Sequence, residues 1–277
     1  MTKKNLSLQI IIYTFLILGL LLIIFPMYLT VIVAFKTPAE SAENFFSFPK
    51  QFYLDNLKQV VSSENFGYFL INSVVITVVP LVFIIFFVSL SSYAISRNKD
   101  SRFFRFLHIY FLAGIFVPFQ VIMLPLVKFM SGMSLTNQTG IILLYITLAN
   151  AQGVFLCVNY LKSIPMEMEE ATHIDGGSVF RTFFSVVFPL MKPILVTLII
   201  MDALWIWNDF QLPLIMLNSS SERWTLPLFQ YNFKGQYSFD YNLAFASFLI
   251  SMLPIIIVYA FLQKHIIGGL TDGAIKS

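Results

Sequence analysis

Apolar positions in this chain come in runs too long and too uninterrupted for the core of a soluble domain, with short polar stretches between them. The first run, Ile10 to Phe35, carries no charge over about 26 residues, and a helix needs about 20 to cross a bilayer. It exceeds the apolar core of a secretory signal, so a retained first helix is expected despite Lys3 and Lys4 ahead of it. Further spans are expected at about 69–95, 106–129, 139–161, 190–209 and 241–263. Pro118 and Pro125 fall within the third of these, which implies a kink or break whose freed carbonyls need partners. Asn72 and Ser73 open the second span and are expected to bond to a neighbouring helix. A short helix near Leu54 to Val61 is expected in the polar stretch after the first span.

The long polar interruption is Pro165 to Pro193, PMEMEEATHIDGGSVFRTFFSVVFPLMKP. Glu167, Glu169 and Glu170 crowd its start, where acids complement the positive end of a helix dipole. Pro165 suits a first helical turn, since its missing N–H is not needed there. Gly176 or Gly177 can take the left-handed conformation that ends a helix, and Ser178 can cap the next one. A short helix, a turn and a return into the bilayer are therefore expected. Ala171 and Gly176 leave little side-chain bulk at the bend, so another protein's surface can approach the backbone closely.

Composition agrees with the runs. Of 277 residues, 58% are hydrophobic and 11% charged, against roughly 25% charged in soluble domains. The net charge of +3 is spread between apolar runs, a pattern of bilayer topology and not of nucleic-acid binding. With both termini inside, only Lys36, Lys50, Lys58, Lys128, Arg223 and Lys234 of the 17 Lys and Arg fall outside. The bias supports six spans and places the polar interruption in the cytoplasm.

Candidate chemistry is sparse. There is no Gly-Lys dipeptide, so a GxxxxGK[ST] phosphate loop is absent from the chain. His108, His173 and His265 are scattered, without the spacing of a metal site. Cys157 is the single cysteine and lies in an apolar run, where packing is its expected role. Asp202 lies within the fifth span, facing either a cavity or a polar group of a partner subunit. Trp205, Trp207, Asn208 and Asp209 put aromatic faces beside amide and carboxylate groups, as a sugar path requires, although Trp also anchors spans at the interface.

The order of residues in the polar interruption adds more. Glu170-Ala171-Thr172, then Asp175-Gly176-Gly177, Phe180 and Pro189-Leu190 resemble the EAA signature of ABC-importer permeases. Thr172 and Gly177 stand where the pattern has Ala. Ser91 to Arg97, Leu124-Pro125-Leu126, Trp207-Asn208-Asp209-Phe210 and the tail with Gly268-Gly269-Leu270-Thr271 are similar to further segments of the carbohydrate, maltose-type branch, nearest its multiple-sugar or raffinose importers.

The resemblance implies an all-α integral membrane protein with six transmembrane helices in the type I ABC-importer permease fold. Residues 1–277 would form a single permease domain with a cytoplasmic coupling loop at 163–182. Glu170, Ala171, Thr172, Asp175, Gly176 and Gly177 would couple it to two ATPase subunits. Partners would be a second permease, an extracellular solute-binding protein, an oligosaccharide and membrane lipid, in a bacterial cell membrane. ATP and Mg would sit on the ATPase chains, with no cofactor on this one. An ion-coupled secondary transporter is the alternative, yet it needs broken helices with acids and often internal repeats. An intramembrane enzyme would need a nucleophile–base or metal constellation; no such set stands out.

Overall fold

The computed structural model describes residues 3–233 and 240–274, and among these it is helical with no strand. In chain order the α-helices are α1 (Lys3–Ala34), α2 (Pro38–Glu43), α3 (Asp55–Val61), α4 (Phe66–Arg97), α5 (Arg102–Ile115), α6 (Phe119–Gly132) and α7 (Gln138–Leu161). They continue with α8 (Glu167–Ile174), α9 (Val179–Thr182), α10 (Phe188–Leu190), α11 (Lys192–Asn208), α12 (Gln211–Leu217), α13 (Leu226–Phe229) and α14 (Tyr241–Ala274). The helix α14 runs on past the expected end of the sixth span at about 263, as far as Ala274. Lys234, Lys276 and residues 275–277 lie outside the described residues.

Among the described residues four helices are long and apolar enough to cross a membrane: Leu8–Ala34, Phe66–Arg97, Gln138–Leu161 and Tyr241–Phe261. Two bent pairs bring the number to six if each is one span. One pair, α5 with α6, turns by 104°. The expected third span is therefore not a continuous helix. Pro118 stands just ahead of α6 in extended conformation, and its ring disfavours a helical residue before it, which ends α5. Pro125 lies inside α6 without ending it. The other pair, Val179–Leu190 with Lys192–Asn208, turns by 69°. A π-helical stretch, Phe183–Val187, precedes Pro189 and absorbs the clash its ring would otherwise cause one turn back.

The chain divides into two compact units, Met1–Gly67 with Gln230–Leu253, and Tyr68–Phe229 with Pro254–Ser277. In the first, most of α1 from residue 8 is exposed and apolar, a surface that only a bilayer accommodates at that length. The end of α1 is closed by side chains from elsewhere in the unit. Asn56 donates to the carbonyls of Ala34 (2.9 Å) and Lys36 (2.7 Å). Asn242 donates to those of Val33 (3.0 Å) and Lys36 (2.9 Å). Of these, the Ala34 carbonyl belongs to the last residue of α1, where a helix leaves its carbonyls without intrahelical partners. Lys36 itself is fully buried, its Nζ donating to the carbonyls of Asn44 and Phe45 and to Ser47 Oγ. Burial pushes its pKa below the ordinary lysine value, against the pull of Glu40.

In the second unit α7 lies at the centre, packed by α5, α11 and α12. Ile141, Leu144, Tyr145, Ala149, Val154, Cys157, Val158 and Leu161 of α7 are buried at helical spacing. Cys157 is a packing residue there, fully buried among Ile84, Val88, Val187 and Leu198 of the same core. Asn72 and Ser73 bond mainly to loop backbone. Asn72 donates to the carbonyls of Glu222 and Trp224 and accepts from Gln138 of α7, and Ser73 accepts from Leu226 N–H. Their partners on helices are Gln138 of α7 and Leu226, the first residue of α13. The Glu222 and Trp224 carbonyls lie in the stretch just before α13.

Candidate functional site

The polar interruption folds as α8, a sharp turn and α9. Met166 is the N-cap of α8, so Pro165 sits just before the helix and not in its first turn. Glu167, Glu169 and Glu170 do occupy that first turn. The end of α8 is a Schellman motif: Gly177 N–H donates to Thr172 O (2.9 Å) and Gly176 N–H to His173 O (3.0 Å). Gly176 carries the left-handed backbone the motif demands, at φ +78°. Ser178 then accepts from Arg181 N–H, capping α9. His173 joins the two sides of the turn through Nδ1 and the Gly177 carbonyl, 3.1 Å apart.

One acid of the first turn has a second task. Glu169 is only 4% exposed. Its Oε1 lies 2.6 Å from Arg97 Nη2 and accepts from Arg97 Nε at 2.8 Å, while Tyr93 OH donates to Oε2 at 2.9 Å. Arg97 also donates to the carbonyls of Leu161 and Ile164. The group fastens α8 to the last turn of α4 and to the end of α7. Read in sequence, Arg97 marked only topology and Glu169 only a dipole. Spacing 72 residues apart contains no sign of the pair.

The opposite surface of the loop is open and partly apolar. Ile174 is 86% and Phe180 72% exposed, and Val179, Met166 and Met168 are exposed as well. Glu170, Ala171, Asp175 and Gly176 are exposed, while Thr172 and Gly177 are half-buried. These six residues lie on α8 and the hydrogen-bonded turn that ends it.

The four residues singled out around the end of α11 do not form one site. Trp207 is buried, and Asn208 folds back to donate to Leu204 O. Asp209 accepts from the N–H groups of Gln211 and Leu212, opening α12, and from Tyr145 OH at 2.8 Å. Tyr145 in turn packs edge-on against Trp205, ring centres 5.4 Å apart. Trp205 lines a cavity of about 250 Å³ with Gln152 of α7 and Asp202 of α11. A larger cavity of about 610 Å³ adjoins it and shares Gly114, Val117, Ile122, Leu148 and Ala151. No group of three or more His, Cys, Asp or Glu among the described residues could hold a metal ion.

Residues 87–271 match the family model of the binding-protein-dependent transport system inner membrane component. The chain belongs to that family. It is 44% identical over 266 residues to the multiple sugar-binding transport system permease protein MsmG of Streptococcus mutans, covering 95% of this chain and 96% of the relative. It is 35% identical over 256 residues to the probable starch degradation products transport system permease protein AmyC of Thermoanaerobacterium thermosulfurigenes, covering 92% and 93%. With the melibiose/raffinose/stachyose import permease protein MelC of Bacillus subtilis, identity is 29% over 91% of each chain. A crystal structure of a bacterial ABC transporter that imports the acidic polysaccharide alginate superposes with a TM-score of 0.85 at 21% identity, over 95% of this chain and 98% of that one. The fold is thus that of an ABC-importer permease, a multi-pass membrane protein. Nothing in these likenesses points to an ion-coupled transporter.

Proposed function

We propose that this permease is one membrane subunit of an ATP-driven, binding-protein-dependent sugar importer, and that the turn at Asp175–Gly177 is its contact with the ATPases. The observation that carries the second half is the loop itself. It is a capped, hydrogen-bonded turn fastened to α4 and α7 through Glu169, with Ile174 and Phe180 left in the open. A rigid polar loop with uncovered apolar side chains is a docking surface. Sugar names on relatives with near-complete coverage support the substrate class.

In this reading a second permease completes the pathway, two ATPase chains hold ATP and Mg, and a solute-binding protein delivers an oligosaccharide from outside. Both termini and the loop face the cytoplasm, and six spans cross the bilayer with α5–α6 and α9–α11 counted as one each. Force applied to the turn passes through Arg97 and Glu169 to the ends of two spans, which links ATPase closure to the pathway.

Replacing Gly176 with Asp tests this. The added side chain strains the left-handed turn by about 1–2 kcal/mol and puts a charge on the docking face. The variant is expected to assemble with the second permease yet lose most ATPase co-purification and sugar-stimulated ATP hydrolysis. Normal attachment and normal uptake at normal expression would rule the turn out as the contact.

A further inference from the structure

Three phenylalanines stand uncovered on the stretch between α1 and α3. Phe46, Phe48 and Phe52 are each more than half exposed. A patch of this kind marks a protein or membrane contact. The three rings all lie against α1. Phe46 stacks on Phe25 with ring centres 6.1 Å apart, Phe48 meets Tyr28 edge-on at 5.3 Å, and Phe52 meets Phe35 edge-on at 5.6 Å. Phe25 belongs to the exposed apolar surface of α1 that faces the bilayer, so the loop's patch continues that surface. The loop's backbone is also built for a place where water is scarce. Tyr28 OH donates to Phe46 O at 2.7 Å. The buried ammonium of Lys36 donates to the carbonyls of Asn44 at 2.9 Å and Phe45 at 3.3 Å. Asn44 Oδ1 accepts from the N–H groups of Phe46 at 3.0 Å and Ser47 at 3.2 Å, and Glu40 Oε1 accepts from Lys50 N–H at 3.0 Å. A loop in water leaves such groups to the solvent, whereas near hydrocarbon the protein itself must satisfy them.

We infer that Phe46, Phe48 and Phe52 form an aromatic anchor that rests in the lipid, at the boundary of headgroups and acyl chains beside the end of α1. The partner is the bilayer surface itself. Aromatic side chains collect at that level, where apolar rings are buried and polar atoms stay within reach of the headgroups. The same stretch carries exposed ion pairs, Lys50 with Glu43 and Lys58 with Asp55, which belong on the wet side of that boundary. The anchor holds more than its own loop. The Lys36 carbonyl accepts from both Asn56 of α3 and Asn242 of α14, so the depth of this loop sets the depth of three helix ends. The inference rests on α1 lying in the bilayer, and neither on the cargo nor on the ATPase contact.

The test puts a nitroxide label on Phe48→Cys, Phe52→Cys or Lys58→Cys. The full chain is reconstituted with its co-purifying subunits in liposomes of phosphatidylcholine and phosphatidylglycerol. Native Cys157 is fully buried and takes little label. Collisions with oxygen, which dissolves in acyl chains, are compared with collisions with a water-soluble nickel chelate. Oxygen is expected to exceed nickel severalfold at the Phe48 and Phe52 positions, and nickel to exceed oxygen at the Lys58 position. Nickel in excess at Phe48 and Phe52 puts the loop in water and overturns the anchor. A label shielded from both reagents also overturns it, since another protein chain then covers the patch. The unsubstituted chain gives a second readout. A photoactivated carbene reagent dissolved in the lipid is expected to modify the peptide that holds Phe46 to Phe52, at a yield that glutathione in the water does not change. A peptide left unmodified, or protected by the glutathione, overturns the inference without any substitution.

Discussion

Gly176 and Gly177 are adjacent, yet different forces require each to be glycine. Gly176 has open space where a Cβ would go; its constraint is the positive φ. At Gly177 a Cβ would lie 2.7 Å from Thr172 Cγ2 and 2.8 Å from Thr172 O. Thr172 and Gly177 are also the two departures from the resembling pattern, which has Ala at both places. The structure puts them in contact, so the larger residue at one position goes with the smaller at the other. Gly177→Ala is expected to loosen the turn by about 1 kcal/mol or more. Amide exchange at residues 175–177 should rise at least about fivefold. Adding Thr172→Ala should recover part of that, because the methyl goes but the carbonyl stays. Full additivity in that cycle would show that the two positions do not communicate.

Helices α4, α7 and α8 meet through one buried ion pair. A buried pair is weak evidence for stability, because its desolvation opposes its attraction, but removing one partner is costly. Arg97→Met leaves Glu169 buried without its cation and opens the Leu161 and Ile164 carbonyls. Loss of about 3 kcal/mol is expected, read as a lower midpoint of thermal unfolding in detergent and faster exchange in α8. Tyr93→Phe removes one hydrogen bond and should cost about 1 kcal/mol. Converting both Arg97 and Glu169 to Met should cost much less than Arg97→Met alone. If the single and double variants unfold alike, the pair is not what holds α8 down. The breaks between elements were more legible than their joints. Pro118 and Pro193 mark both bends because proline acts on its own backbone and on the preceding turn, all within local sequence. The size of the bends, 104° and 69°, depends on what each half packs against.

For the whole molecule the central expectation is orientation. With the ends inside, Ser219→Cys should react with a membrane-impermeant maleimide in intact cells. Lys99→Cys should react only after permeabilisation. The native Cys157 is fully buried and contributes little background. The opposite pattern would invert the topology and remove the coupling loop from the ATPase side. The apolar runs, the polar loop, its turn residues and the family were readable from the sequence. Each rests on near neighbours in the chain: apolar run length, proline, glycine and a signature at fixed spacing. What only tertiary structure decided lies between distant residues. It set Arg97 on Glu169, let Asn56 and Asn242 close the end of α1, and put Trp205, but not Trp207 or Asn208, on the wall of a cavity. It also left Asp202 Oδ2 buried without a hydrogen-bond partner. Hydrogen-bond partners for a buried polar group are chosen by whichever backbone or side chain the packing brings within 3 Å, and sequence order does not record that distance.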